Sequence, residues 1–350
     1  MPKAIKIGSK LVGEGQPVFI IAEAGVNHNG KFALAKKLID VAADAGADAV
    51  KFQTFRAEQV VTAGGKMAKY QKENLGIIES QQEMLRKLEL PEKYYPALIS
   101  HARRRGIIFI STPHGAFASA DFLRNLHVPA YKIGSGDLTA LPFLSYVAKF
   151  GKPIIISTGM ATLAEARDAV ATIKKTGNKK IIVFHCTTNY PTENNEANLQ
   201  AMSKLQKLNT LVGYSDHTIG NTAAITAVAL GAVMLERHFT ISRKLPGPDQ
   251  KASLEPNELA EYVRAVKSVP IILGDGKKRP QKSERQYIPL TRRSIVSAQP
   301  IKKWERISAR HLTLKRPGTG LAPKLWGKVI GRRAARDISA DTLITLNMLK

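Results

Sequence analysis

Cysteine is all but missing from this 350-residue chain, and its one thiol, Cys186, rules out an internal disulfide framework. A single free Cys is expected in the core, as a small inert apolar residue. Long apolar runs are missing as well. None reaches the roughly eighteen residues of a membrane-spanning helix, and MPKAIKIGSK at the N-terminus lacks the apolar stretch of a secretory signal. A soluble, cytoplasmic protein with no membrane partner is the expectation. Acidic residues are scarce, 28 against 53 Lys and Arg, which leaves a net charge of +25. Between Lys277 and Lys350 there are 19 Lys and Arg against 4 Asp and Glu, so this stretch carries +15 of that charge. Its basic residues stand in pairs among apolar positions: Lys277 with Lys278, Arg292 with Arg293, Lys302 with Lys303, Arg332 with Arg333. Interleaved aromatics are lacking, which argues against a nucleic-acid footprint. A solvated basic surface, or a field that attracts a small anionic substrate, remains.

What the chain does have is one motif repeated: a short apolar run, a polar end, then a helical pattern closed by Gly. The runs are VFIIAE at 18, DAVKFQTF at 48, IIFIST at 107, AYKIGS at 130, PIIISTG at 153, IIVFHC at 181, LVGYS at 211 and VMLERHF at 233. After the first, Ala35, Leu38, Ile39 and Ala42 recur at helical spacing, with Gly46 where the helix should stop. Thr162 and Glu165 have the spacing of a capping box, and Gly177 closes that helix. Near-continuous apolar strands alternating with amphipathic helices predict a parallel sheet with helices outside, and eight such units predict a TIM barrel. An open doubly wound sheet is disfavoured because no GxGxxG follows the first strand. The stretch from Arg56 to Leu90 is long and polar, and is expected as a loop with a helix over the barrel mouth, a candidate lid.

In a TIM barrel, chemistry sits at the C-terminal ends of the strands. Those ends carry Glu23, Lys51 with Gln53, Thr112, Lys132 with Ser135, Ser157, Cys186, Ser215 with His217, and Glu236 with His238. Alternation puts Lys51 and Gln53 on one face, Val50 and Phe52 on the other. An ammonium in the barrel mouth needs a partner. Two lysines ringed by the hydroxyls of Thr112, Ser135, Ser157 and Ser215 suit a phosphate or carboxylate; the alternative is pairing with internal carboxylates such as Glu23 and Glu236. His217 and His238 end neighbouring strands and suit a divalent metal, or else form a hydrogen-bonded structural pair. A hydrolytic metal barrel is disfavoured, since no His-x-His stands on the first strand and His28 has Val26 and Gly30 two residues away. Asp216, which alternation turns away from Ser215 and His217, is expected to brace the following loop.

The stretches IAEAGVNHNG, ADAVKFQTF, ESQQEMLRKLEL, ISTPHG, YKIGSGDLT, IISTGMA, HCTTNYPT, VGYSDHTIG, LERHFT, GPDQKASLEP and LKRPGTGL resemble those of the sialic acid synthase family, from about Val18 to the C-terminus and in the same order. The family comprises N-acetylneuraminate synthase and its relatives for legionaminate and related nonulosonates. The resemblance implies a TIM barrel over residues 1–276, a linker at 277–290 and a small, mainly β SAF (antifreeze-like) domain at 291–350. It implies a homodimer in which each SAF domain is swapped over the partner's site. It also implies condensation of phosphoenolpyruvate with an N-acetylated hexosamine, N-acetylmannosamine first, with a divalent metal, Mn or Mg. His217 and His238 match the metal ligands. Lys51, Thr112, Lys132, Ser135, Ser157, Asn189 and Ser215 match contacts to phosphoenolpyruvate; Glu23, with Lys51 and Lys132, matches the catalytic set. Gln53, Asp137, Tyr190 and Asp249 match sugar contacts, and Arg316 matches an arginine that reaches across the dimer. Gln250 stands where the family usually has His, and Asp137 where many members have Glu, one methylene longer. Asn74, in the lid, is a further candidate sugar contact. N,N'-diacetyllegionaminate or pseudaminate synthesis is the alternative activity. A basic nucleic-acid or glycan-binding protein on an inactive barrel is the alternative outside catalysis.

Overall fold

The computed structural model describes residues 3–76 and 79–350. Ile77 and Ile78, within the expected lid, lie outside the described residues. The chain forms two compact units, one ending at Gly274 and one spanning Asp275–Lys350.

The first unit opens with an antiparallel hairpin, β1 (Ala4–Ile7) and β2 (Lys10–Gly13), which the sequence reading did not anticipate. Eight parallel strands follow: β3 (Phe19–Gly25), β4 (Ala49–Thr54), β5 (Ile108–Pro113), β6 (Tyr131–Ile133), β7 (Ile154–Ser157), β8 (Ile181–Cys186), β9 (Leu211–Asp216) and β10 (Met234–His238). Each pairs with its sequence neighbour, and β10 pairs with β3 to close the barrel. The predicted TIM barrel is the observed fold, and all eight apolar runs are its strands.

Alternation along these strands produces two cores. Outward residues such as Ile20, Ala22, Val50, Phe52, Ile154 and Ile156 pack with the helices. The helix Phe32–Asp44 supplies Ala35, Leu38, Ile39 and Ala42 to that layer, and the backbone turns at Gly46 with a φ of 79°. The helix Leu163–Lys175 is opened by the Thr162–Glu165 capping box. Inward residues Phe19, Ile21, Ala49, Ile110, Ile155, Ile182, Phe184, Leu211 and Met234 fill the barrel interior. Ile5, Ile7 and Val12 of the hairpin join this inner cluster, so the hairpin plugs the end of the barrel away from the strand C-termini. Gly213 is glycine for room: a Cβ there would stand 2.4 Å from Phe184 Cε1 and 2.5 Å from the Met234 carbonyl oxygen. Beyond these residues the inward rows turn polar, at Glu23, Lys51, Thr112, Lys132, Ser157, Ser215 and Glu236. That change of chemistry marks the floor of the mouth.

Among its described residues the expected lid contains three short helices, Ala57–Val60, Lys69–Leu75 and Gln81–Leu88. Val26, Phe55, Met67, Met84 and Leu88 give it a small core of its own. The Asn74 amide donates to the Pro248 carbonyl at 2.6 Å, so this side chain ties the lid to the loop bearing Asp249.

In the second unit, β11 (Ser294–Ser297) and β12 (Leu312–Lys315) form an antiparallel pair. Ile295, Ile301, Ile307, Leu312, Val329, Ala334, Ile338, Ile344 and Met348 make its core. The stretch read as linker is partly ordered, with a 3-10 turn at Lys282–Tyr287 and a short helix at Ile288–Thr291. Among the described residues no helix is long and apolar enough to cross a membrane.

Candidate active site

The two inward lysines meet carboxylates. Lys51 Nζ lies 2.7 Å from Glu23 Oε2 and 3.7 Å from Glu236 Oε2, and donates to Thr112 Oγ1 at 3.1 Å. Lys132 Nζ lies 3.3 Å from Glu236 Oε1 and donates to Ser157 Oγ at 2.7 Å. All four charged groups are almost completely buried. The pairing with internal carboxylates, raised above as the alternative, is present in the structure. Two lysines and two glutamates cancel, and the cluster is lined with hydroxyls: Ser215 Oγ donates to Glu236 Oε1 at 3.2 Å.

Burial and neighbours push these four groups apart. Burial drives the Glu23 carboxyl up, and the nearby Glu236 adds to that, so it is held above the ordinary carboxylate range although Lys51 opposes the shift. Glu236 is driven up by burial too, yet Lys132 and Lys51 together pull it down to about 2. Burial lowers both lysines; Glu23 and Glu236 reverse this for Lys51, which ends raised, whereas Lys132 ends lowered. Paired groups whose environments separate their proton affinities are the usual substrate of acid–base chemistry. Gln53 Nε2 donates to Glu23 Oε1 at 3.3 Å and orients that carboxyl.

Above the lysines stand the two histidines. Their ring centroids are 5.6 Å apart, and Tyr190 lies against both, 4.2 Å from the ring of His217 and 5.7 Å from that of His238. His217 Nδ1 is 2.8 Å from the Thr187 carbonyl oxygen, which can only accept, so the proton sits on Nδ1 and Nε2 faces Ser215 with its lone pair. His238 Nδ1 is buried without a hydrogen-bond partner. Burial lowers His217, but Cys186, the Thr187 carbonyl and Glu236 outweigh it and leave the group raised. His238 is lowered well below the ordinary range by burial and then by His217. A neutral imidazole beside one that attracts positive charge fits a divalent cation, with Glu23 and Glu236 below them held by the lysines. Among the described residues no three or more His, Cys, Asp and Glu cluster as a metal site, so the protein's share would be the two imidazoles with water or substrate completing the shell.

Other expected residues divide. Ser135 Oγ accepts from the Gly159 amide at 3.0 Å and lies 3.8 Å from Cys186 Sγ, which puts it beside that thiol rather than on a lysine. Cys186 is buried, as expected, with its sulfur 3.9 Å from His217 Nδ1. Asn189 is exposed and its side chain accepts from the Tyr190 amide at 3.1 Å. Burial pushes the Asp249 carboxyl up to about 6, partly offset by His217, His114 and Lys51. Gln250 is fully buried: it accepts from Thr240 Oγ1 and donates to the Asn27 carbonyl at 3.2 Å, a brace between loops. Asp216 faces away, as alternation requires; it pairs with Arg237 Nη1 at 2.9 Å and accepts from the amide and hydroxyl of Thr218, fixing the loop after His217. Arg316 belongs to the second unit, where it is exposed and has no partner among the described residues.

Glu236, expected as a strand-end carboxylate that could pair with the lysines, joins both of them. One residue was missed as a site member. His114, just past the end of β5, has Nδ1 3.7 Å from Asp137 Oδ2, and only its position two residues after Thr112 hinted at it.

Known proteins carry the same plan. The chain is 46% identical over 328 residues to the N,N'-diacetyllegionaminic acid synthase of Campylobacter jejuni, covering 93% of this chain and 98% of that protein. It is 43% identical over 342 residues to the N,N'-diacetyllegionaminic acid synthase of Legionella pneumophila, covering 96% of each. The crystal structure of the N-acetylneuraminic acid synthetase from Leptospira borgpetersenii, in complex with citrate, superposes with a TM-score of 0.71 at 35% identity over 81% of this chain and 95% of that one. Residues 38–278 match the NeuB family and residues 292–350 the SAF domain. With more than half of its length inside that family model, and a barrel whose strand ends carry the chemistry described, the chain belongs to the NeuB family and ends in a SAF domain.

Proposed function

We propose that this synthase condenses phosphoenolpyruvate with the diacetamido hexose that corresponds to N,N'-diacetyllegionaminic acid, releasing phosphate. The enzyme class follows from the family: the chain is a synthase of the N-acetylneuraminate type. The choice of acceptor reverses the order expected from sequence, where N-acetylmannosamine stood first. It is supported by the 46% and 43% identities to two diacetyllegionaminate synthases, against 35% to an N-acetylneuraminic acid synthetase. The observation that carries the reaction is the buried pair Lys51 and Lys132, ringed by Thr112, Ser157 and Ser215 below His217 and His238.

In the proposed reaction C3 of the enol bonds to the sugar's aldehyde carbon, water adds at C2, and the C–O bond to phosphate breaks. Lys51 and Lys132 offset the negative charge of phosphate and carboxylate, with Glu236 holding both ammonium groups in place until the anion arrives. Glu23, whose carboxyl is raised by burial, is the proton carrier nearest Lys51. Gln53 keeps it aimed. His217 and His238 would hold Mn or Mg, and such an ion, when bound, supplies Lewis-acid polarisation of the aldehyde oxygen. Tyr190 covers the two rings and keeps bulk water from them. The exposed Arg316 is the residue we assign to a second subunit's site in a homodimer.

The test is phosphate release from phosphoenolpyruvate with N-acetylmannosamine, its 6-phosphate and the diacetamido trideoxy hexose, with and without chelator. Release is expected to be fastest with the diacetamido sugar and to stop on chelation. Release without sugar, or indifferent to chelator, overturns the mechanism; preference for N-acetylmannosamine overturns the acceptor.

A further inference from the structure

His114 has no part in the anion cluster or the two-histidine site, yet the fold brings it to the same mouth. It follows Pro113 at the end of β5 and, two residues after Thr112, shares that residue's inward direction. Its side chain is 29% exposed, with Nδ1 3.7 Å from Asp137 Oδ2. That gap is too long for a hydrogen bond, so imidazole and carboxylate both retain capacity for a third group. The backbone is shaped around the pair. A Cβ at Gly134 would stand 3.0 Å from His114 Cε1 and 3.9 Å from Asp137 Oδ2, so glycine there leaves the ring its place. The half-buried Asp249 carboxyl is within electrostatic reach of His114, as it is of His217 and Lys51.

This flank differs in chemistry from the lysine floor. Two carboxylates, Asp137 and Asp249, make it hostile to phosphoenolpyruvate but suited to a neutral sugar rich in hydroxyl and amide N–H donors. A carboxylate only accepts, whereas an imidazole N–H donates. We propose that His114 is a specificity-determining positioning residue for the acceptor sugar, forming with Asp137 a donor and acceptor pair that grips one polar substituent of the sugar. This rests on the reading of the enzyme as a phosphoenolpyruvate-dependent sugar-condensing synthase.

The experiment compares wild type with His114→Phe, which keeps a ring and loses both nitrogens, and His114→Gln, which keeps a donor and an acceptor. KM and kcat are measured with each substrate varied in turn, and circular dichroism confirms folding. The expected result is a rise in the acceptor's KM of roughly 10-fold or more in the Phe variant, as for the loss of a polar partner of the substrate. Phosphoenolpyruvate's KM should stay unchanged, and the Gln variant should recover part of the loss. An acceptor KM within about twofold of wild type, or equal rises for both substrates, overturns the proposal. If neither variant folds, His114 is a structural residue and the proposal falls. A wild type that turns over none of the sugars overturns the functional reading itself, and this role for His114 with it.

Discussion

Replacing Glu236 by Gln tests whether one carboxylate neutralises both lysines of the mouth. Gln keeps the shape and can still accept from Ser215, but it leaves Lys51, Lys132 and Glu23 buried with one uncompensated positive charge. Removing one partner of a buried ion pair costs about 3–5 kcal/mol. Here the lower end applies: Glu23 still faces Lys51 at 2.7 Å, and Ser157 still accepts from Lys132. A cost of about 3 kcal/mol lowers the Tm of a unit of this size by roughly 6–12 °C. Calorimetry in a phosphate-free buffer measures it. The second arm adds phosphoenolpyruvate, whose negative charge replaces the one removed, so the ligand should raise the variant's Tm by more than it raises the wild type's. A variant melting within about 2 °C of wild type, or one that gains no extra stability from the anion, refutes the view of Glu236 as the shared counter-ion.

Further outcomes follow from two groups outside that cluster. Asp216→Asn strips the charge from a completely buried partner of Arg237, and should cost about 3 kcal/mol in urea unfolding while leaving the KM of phosphoenolpyruvate unchanged, because both side chains point to the helix layer. Asp249 has its carboxyl raised to about 6 from an ordinary 3.8, so in the folded chain its ionised form carries a cost that is present at neutral pH and fades as pH falls through 6 towards 3.8. Asp249→Asn should therefore melt higher than wild type at about pH 7.5 and lose that advantage near pH 4; a constant difference at both pH values contradicts the shift. In the wild type the acceptor's KM should climb as pH falls through about 6, and the Asn variant should lack that limb.

The barrel was legible because its signal is local. Period-two alternation in DAVKFQTF separates Lys51 and Gln53 from Val50 and Phe52 whatever the rest of the chain does, and the same rule turned Asp216 away from His217. Helix ends at Gly46 and at Thr162 with Glu165 were equally local. The hairpin plug was not, because Ala4–Ile7 and Lys10–Gly13 are too short to carry a pattern and acquire meaning only where Ile5, Ile7 and Val12 meet Phe19 and Met234. Asn74 could be placed in a lid by sequence, but its bond to Pro248 spans 174 positions. Gln250 looked like a substitution at a site and is a brace between loops.

The sequence by itself determined which side chains end each strand on the inward face, since strand alternation and the parallel fold fix that without reference to any partner. It therefore determined that two lysines, two histidines and two glutamates share one mouth. Only the tertiary structure decided who pairs with whom. Closing β10 against β3 brings Glu236 within reach of Lys51 and Lys132 on different strands, and the turn after β6 sets Asp137 beside His114. Those meetings depend on the stagger of the closed barrel and on the paths of its loops. Both are set by packing across the whole unit, which no local pattern encodes.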